Sequence, residues 1–156
     1  MAVVNPPQGY HTVTPYLVLD DSAAAIAFYR KAFGAEELFR FEQDGRIGHA
    51  ELRIGDSQIM ISDEWPEFGY RSARNIGATP VSLMIYVPNV DEVHARALAA
   101  GATERSPVQD QFYGDRSGNI TDPFGHQWTI ATHVKDVPAD EMQRLFRESM
   151  AAMEAE

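Results

Sequence analysis

The sequence predicts an α+β fold of two tandem βαβββ modules, whose curved, mixed or antiparallel sheets carry their helices on the outside. The first observation is strand-like alternation of apolar and polar residues around two helical periodicities. The second is a Gly-Ala pair directly after each helical pattern, at Gly34-Ala35 and Gly101-Ala102. The third is that the two halves superpose at an offset of about 68 residues, which indicates one supersecondary unit present twice.

We expect one domain over residues 1–156, with the first module at about 12–63. A strand over 12–19 is followed by a helix that begins after Asp20-Asp21-Ser22, residues that favour helix N-termini, and ends at Gly34. Tight turns at Asp44-Gly45 and Gly55-Asp56 separate the strands that follow. These strands are predicted at 37–43, 47–54 and 57–62.

The connection at 64–80 is long, and it contains Trp65, Phe68 and Tyr70 among Pro, Gly and polar residues. Such a segment is typical of a linker or a functional lid. Its aromatic side chains suit either a cover over a ligand or a contact with a second subunit. The remaining elements are a second module at about 81–134, with a strand at 81–87, a helix at 89–100 and strands at 103–108, 113–121 and 127–133, and then a terminal helix at about 137–153.

The last two strands are predicted to form a hairpin around Asp122-Pro123-Phe124-Gly125, which has the residue order of a tight turn. The strand before this turn is polar, with Asp115, Arg116, Ser117 and Asn119. A strand of this polarity requires a wet face or a lined cavity. The sequence therefore predicts a cavity on one face of the second sheet.

The composition excludes several classes of function. A net charge of −10 repels a phosphate backbone, so we expect no nucleic-acid partner. The chain has no cysteine and therefore no thiolate metal site. No apolar run approaches the ~20 residues of a membrane span, and the first nine residues lack the pattern of a signal peptide. We expect a cytoplasmic protein with no membrane partner.

Three stretches resemble the PhnB-like branch of the vicinal oxygen chelate superfamily, which includes glyoxalase I, bleomycin resistance proteins, fosfomycin-resistance enzymes and extradiol dioxygenases. They are Ala25-Ile26-Ala27-Phe28-Tyr29-Arg30-Lys31-Ala32-Phe33-Gly34-Ala35, Gly48-His49-Ala50-Glu51-Leu52 and Phe112-Tyr113-Gly114-Asp115-Arg116-Ser117-Gly118. The resemblance covers about residues 12–134. It implies the glyoxalase/bleomycin-resistance fold and a homodimer in which a module of one chain completes the cavity of the other. It does not fix an activity, because one fold hosts many chemistries.

The metal-dependent members of this superfamily hold their ion with four side chains, usually His and Glu, on the first and last strands of each module. The resemblance places these positions at Thr14, Met60, Ser82 and Thr129. None of the four supplies an imidazole or a carboxylate, the groups that a divalent cation would need here. We therefore expect no metal at the family position and no cofactor; the alternative is a divalent metal ion elsewhere.

His49 and Glu51 are the candidate catalytic residues. They lie two apart on one strand and share a face, whereas Ala50 and Leu52 face the helix. One interpretation is an acid–base pair, or half of a displaced metal site. The other is a pair of polar residues on a solvated face, one of which pairs with Arg53 or Arg116.

Asp115 and Arg116 leave two interpretations open as well. They could clamp a carboxylate or phosphate of a ligand, or Arg116 could pair within the protein. On a regular strand only one of the two faces the cavity. We also expect His126 to be a structural histidine bonded to backbone, and His11 and His94 to lie at the surface. The residues predicted to contact a ligand are Tyr16, Arg53, Ser62, Ser82, Met84, Tyr86, Asp115, Arg116 and Thr129.

Three functions are compatible with these features. The first is a glyoxalase/bleomycin-resistance-like homodimer that binds a small organic molecule without the family metal. The second is a lyase, isomerase or dioxygenase-like enzyme, with or without a metal, that employs His49 and Glu51. The third is a structural or interaction module with a vestigial cavity.

Overall fold

The computed structural model describes residues 3–156 and confirms the predicted fold, with two four-stranded mixed sheets. In the first sheet the order is β1-β4-β3-β2, and in the second it is β5-β8-β7-β6. Only the β1–β4 and β5–β8 pairings are parallel in the described sheets. The first module contains β1 (Tyr16–Leu19), α1 (Ser22–Phe33), β2 (Glu36–Gln43), β3 (Arg46–Ile54) and β4 (Ser57–Asp63).

The second half begins after a connection that holds a 3-10 turn at Pro66–Phe68 and the short helix α2 (Ala73–Ile76). In the connection, Trp65 contacts its own module, because the Arg46 guanidinium lies 3.8 Å from the centre of its ring. The remaining elements are β5 (Ser82–Tyr86), α3 (Val90–Ala99), β6 (Thr103–Asp110), β7 (Asp115–Thr121), β8 (Gln127–His133) and α4 (Ala139–Glu154).

Two strands begin two or more residues later than predicted. β1 starts at Tyr16 rather than at residue 12, because Pro15 has no N–H for the ladder, although its carbonyl accepts the Met60 amide at 3.0 Å. β7 starts at Asp115 rather than at residue 113. The chain before it turns, with Gly114 at φ 101° and its amide donating to Gln111.

The two modules are joined through their helices and through Asp122. Helix α1 packs against α3, and each helix covers its own sheet. Asp122 is buried; its Oδ2 accepts the Tyr29 hydroxyl at 2.6 Å and the Trp128 indole N–H at 2.9 Å. Its Oδ1 accepts the amides of Phe124 and His126, which fixes the predicted turn. This carboxylate therefore ties helix α1 of one module to the hairpin of the other.

Strand alternation separates two faces of each sheet. Leu52, Ile61 and Ile130 are fully buried on the face that meets the helices. We call the opposite face the open face. On the first sheet the open face includes Tyr16, Phe39, Phe41, His49, Glu51 and Met60, and on the second it includes Ser82, Met84, Tyr86, Asp115, Ser117, Asn119 and Thr129.

The expectation that His94 lies at the surface is wrong. Its side chain is buried against Gly118, where a Cβ would come within 2.8 Å of the imidazole ring. The missing side chain on β7 is what makes room for the ring. Its Nε2 is buried without a hydrogen-bond partner, and the Glu104 carboxylate lies 3.7 Å away.

Helix α4 packs loosely on the rest of the chain. None of its residues is buried, although the Phe146 ring lies 6.1 Å from that of Phe112. Met150 and Met153 on the same apolar stripe are exposed. Among residues 3–156, no helix has the length and apolar character required to cross a membrane.

Candidate functional site

A hydrogen-bonded network of three side chains lies on the open face of the first sheet. The Tyr16 hydroxyl is 2.8 Å from Nδ1 of His49, and Nε2 of His49 is 3.3 Å from Oε1 of Glu51. Phe41 lies beside the imidazole, with 6.4 Å between ring centres, and Phe39 packs edge-on against Phe41. Tyr16, His49 and Glu51 therefore form a line of hydrogen-bonded side chains beside two phenylalanine rings.

The partners of His49 determine which nitrogen carries its proton. A carboxylate only accepts hydrogen bonds, so Nε2 must carry the hydrogen that points to Glu51. In the neutral ring Nδ1 is then an acceptor, and the Tyr16 hydroxyl must donate to it. The arrangement fixes one tautomer and one direction of donation along the line from phenol to carboxylate.

Tyr10 stands at the carboxylate end of this line, outside any strand. Burial raises the pKa of Tyr10, and the neighbouring Glu51 carboxylate raises it further. The Tyr10 hydroxyl oxygen is inaccessible to solvent and has no partner in good hydrogen-bond geometry. A neutral phenol donor thus lies close to Glu51.

A second network lies on the open face of the other sheet, centred on Asp115. This carboxylate is buried and accepts the Tyr86 hydroxyl at 3.0 Å and Nδ1 of His133 at 2.7 Å. Nε2 of His133 is 2.9 Å from Asp136, whose side chain is fully exposed. Hydrogen bonding to Asp115 is the main cause that raises the pKa of Tyr86 and that of His133.

A shallow polar cavity of about 310 Å³ lies on the same open face. Thr129 donates to Oδ1 of Asn119 at 2.6 Å, and Nδ2 of Asn119 donates to the Ser106 hydroxyl at 2.7 Å. Hydroxyl and amide groups therefore line the cavity in one connected network. Its lining residues are Ser82, Arg105, Ser106, Asn119, Gln127, Trp128 and Thr129.

The structure brings the predicted ligand-contacting residues onto the two open faces, with one exception. Arg53 shares the face of Glu51 but pairs with Glu36, and Ser62 shares the face of Met60 but is buried. Arg116 corrects the prediction, because it points to the helix side and pairs with Asp91 at 2.8 Å and Asp110 at 3.1 Å. Of the two adjacent residues, Asp115 is the one on the open face.

Two polar residues of these networks were missed from the sequence. His133 pairs directly with Asp115 across β7 and β8, so the hairpin register contains the signal that would have found it. Tyr10 precedes the first strand and follows no periodicity, so no sequence signal indicates its position. His126, in contrast, bonds to backbone as expected, with its Nε2 3.2 Å from the Val18 carbonyl.

The residues at the family's metal positions do not fit a divalent cation. Met60 offers a thioether, and the Thr129 hydroxyl is already bonded to Asn119. Thr14 and Ser82 add only hydroxyls, whereas Zn²⁺ and similar ions select imidazole and carboxylate ligands. Across residues 3–156, no group of three or more His, Asp or Glu side chains is arranged to hold a metal ion.

Two βαβββ modules with helices on one face and a polar, aromatic-lined open face on the other define the glyoxalase-like class of proteins. The family model of the Glyoxalase/Bleomycin resistance protein/Dioxygenase superfamily matches residues 10–130. The chain therefore belongs to this superfamily.

Known relatives and solved structures agree with this assignment. An uncharacterized protein of Mycobacterium bovis is 44% identical over 135 residues, which cover 84% of this chain and 89% of that protein. TioX from Micromonospora sp. ML1 superposes with a TM-score of 0.62 at 27% identity, over 82% of this chain and all of that one. The PhnB protein from Bacillus cereus shares the fold, with a TM-score of 0.60 at 21% identity, over 78% of this chain and 99% of that one.

Proposed function

We propose that this protein is a homodimer that binds a small organic molecule between an open face of one subunit and an open face of the other, without the family's metal. The observation that carries the proposal is the pair of ordered polar networks, Tyr16–His49–Glu51 and Tyr86–Asp115–His133, on the sheet faces opposite the helices.

The two open faces also expose enough apolar surface to favour burial against a second subunit. Tyr16 is 48% exposed, Met84 44% and Tyr86 62%, and Phe41 is exposed beside His49. Exposed aromatic groups of this density are typical of interaction sites. The contacts of each network stay within its own module, while the modules join through their helices. A second copy of the chain would supply the missing wall, with the open face of one module opposite that of the other.

The chemistry of the combined faces indicates the kind of ligand. Aromatic rings supply flat apolar surface, and a few hydroxyl, imidazole and carboxylate groups orient a polar edge. A planar or amphipathic molecule fits this mixture better than a simple sugar does. The net charge of −10 works against a polyanionic ligand.

A thermal-shift screen of small aromatic and amphipathic molecules, run with and without chelator, tests this function. A binder gains thermal stability in proportion to ligand concentration, and the gain persists in chelator. Glu51→Ala should lose the shift, whereas Glu67→Ala, an exposed carboxylate on the connection, should keep it. A shift that requires added metal, or that survives Glu51→Ala, would contradict the proposal.

The second candidate is an enzyme, a lyase or isomerase that employs His49 and Glu51. The observation that favours it is the direction of the Tyr16–His49–Glu51 line, in which a carboxylate orients an imidazole whose other nitrogen accepts a proton. Turnover of a ligand identified in the screen, lost in His49→Gln, separates this enzyme from a pure binding protein.

A further inference from the structure

The three side chains on the first open face stand in the order phenol, imidazole, carboxylate. We propose that Tyr16 is a reactive phenol that passes its proton to Nδ1 of His49 while Glu51 holds the imidazole. Tyr16 is then the nucleophile, His49 its base, and Glu51 a positioning residue. This inference deepens the enzyme candidate, but the reactivity of Tyr16 does not depend on any ligand being found.

The geometry supplies each part of such a relay. The 2.8 Å contact puts the phenolic proton within direct reach of Nδ1. The 3.3 Å contact to Glu51 holds the tautomer in which Nδ1 is free to accept. When the proton moves, an imidazolium forms between a phenolate and a carboxylate, so the new positive charge is stabilised from both sides. A base oriented by a third group is the general arrangement of activated nucleophiles.

The second open face offers a contrast within the same chain. Tyr86 also donates its phenolic proton, but to the Asp115 carboxylate, and this bond is the main cause that raises the pKa of Tyr86. Loss of that proton would place two negative charges side by side. Tyr16 donates instead to a neutral nitrogen, which becomes a cation beside the phenolate. The two phenols therefore differ in the group that accepts the hydrogen bond, which is a carboxylate for Tyr86 and an imidazole nitrogen for Tyr16.

Tyr16 is also placed to meet a substrate. Its ring is 48% exposed on the open face, next to the aromatic surface of Phe39 and Phe41. Its exposure is lower than that of Tyr86, at 62%, and of Tyr70, at 56%. If exposure alone set reactivity, Tyr86 and Tyr70 would react faster than Tyr16. The relay predicts that Tyr16 reacts faster.

An arylsulfonyl fluoride tests the relay directly on the purified full-length protein. The Tyr16 oxygen forms a bond to sulfur, the S–F bond breaks, fluoride leaves to solvent, and the phenolic proton goes to His49. Labelling at each tyrosine is followed over time by digestion and mass spectrometry. Tyr70, an exposed phenol on the connection, and Tyr86 serve as references in every sample.

We expect Tyr16 to be labelled about tenfold or more faster than Tyr86, since a positioned base contributes at least this much. His49→Gln should remove that excess and alter the pH profile of Tyr16 labelling, because the base is no longer present. Glu51→Gln should lower the rate less and alter the same pH profile, because an amide no longer holds one tautomer. Tyr16→Phe should remove the adduct and leave Tyr70 unchanged.

Equal labelling of Tyr16 and Tyr86, or an unchanged Tyr16 rate in His49→Gln with the fold intact by circular dichroism, would overturn the relay. The outcomes separate this inference from the proposed function. A ligand in the thermal-shift screen with an unreactive Tyr16 keeps the binding function and rejects the relay. A reactive Tyr16 together with a thermal shift that survives Glu51→Ala keeps the relay and rejects the proposed binding function.

Discussion

The Tyr16 hydroxyl lies 2.8 Å from Nδ1 of His49, although 33 residues separate the two in the chain. Tyr16 is on β1 and His49 is on β3, with β4 between them. The contact therefore spans three strands and depends on the parallel β1–β4 pairing that closes the module. The βαβββ order is what brings the phenol to the imidazole.

Glu51→Ala is the first test of the open face. Its side chain is partly solvent-exposed, so we expect the free energy of unfolding in urea to change little. Affinity for a ligand that donates to Glu51 should fall by about 1–3 kcal/mol, which calorimetry would measure. Arg116→Ala is the matched control, because Arg116 pairs with Asp91 and Asp110 on the other face and its loss should leave affinity unchanged. A loss of affinity in Arg116→Ala equal to that in Glu51→Ala would contradict this placement.

Asp122→Ala should destabilise the protein by about 3 kcal/mol or more. The substitution leaves four donors, from Tyr29, Trp128 and two backbone amides, without their acceptor in the core. Asp56→Ala, on the exposed β3–β4 turn, is the control and should change the free energy of unfolding by less than about 0.5 kcal/mol. Similar midpoints for both variants in urea denaturation would show that Asp122 does not join the modules as described.

Gly118→Ala and Gly48→Ala form a matched pair of strand glycines. At Gly118 a Cβ would lie 2.8 Å from the His94 ring and 3.0 Å from Val108, so we expect a loss of about 1–3 kcal/mol. At Gly48 a Cβ meets nothing within 4 Å, so the change should be near zero or slightly stabilising. Urea denaturation of both variants checks this, and equal effects would mean that His94 does not fill the space above Gly118.

His133 should make stability depend on pH. Asp115 and, secondarily, Asp136 raise the pKa of His133 above its ordinary value of about 6.5. A group with a raised folded-state pKa stabilises the fold fully below its unfolded value and loses that contribution as pH rises through the folded value. The advantage of the wild type over His133→Gln in thermal unfolding should therefore shrink as pH rises above about 6.5. If the advantage of the wild type over His133→Gln grew as pH rose, it would contradict the raised pKa of His133.

Much of the fold and of the candidate site is visible in strand periodicity. The alternation of Ala50 and Leu52 with His49 and Glu51 assigns each residue to the correct face before any strand order is known. The Gly-Ala repeat and the Asp122–Gly125 turn fix where the elements end. The polar run in β7 correctly indicates an open face on the second sheet.

The errors come from contacts between elements that no single pattern encodes. His94 is a polar residue on a helix, and its burial depends on Gly118, 24 positions later, having no side chain. Arg116 finds its partners on α3 and β6, so its direction is set by the sheet register rather than by its neighbours in the sequence. Tyr10 reaches Glu51 from a segment without periodicity.

The central claim is that each ligand site combines the first open face of one subunit with the second open face of its partner. Subunit complementation tests it with the ligand found in the screen. Glu51→Ala damages the first face and Tyr86→Ala the second, and each homodimer should bind weakly or not at all. Co-refolding the two variants in equal amounts forms heterodimers in which one of the two sites has both faces intact. Calorimetry should then recover about a quarter of the wild-type sites at wild-type affinity, whereas no recovery, or a monomeric mass in light scattering, would contradict the claim.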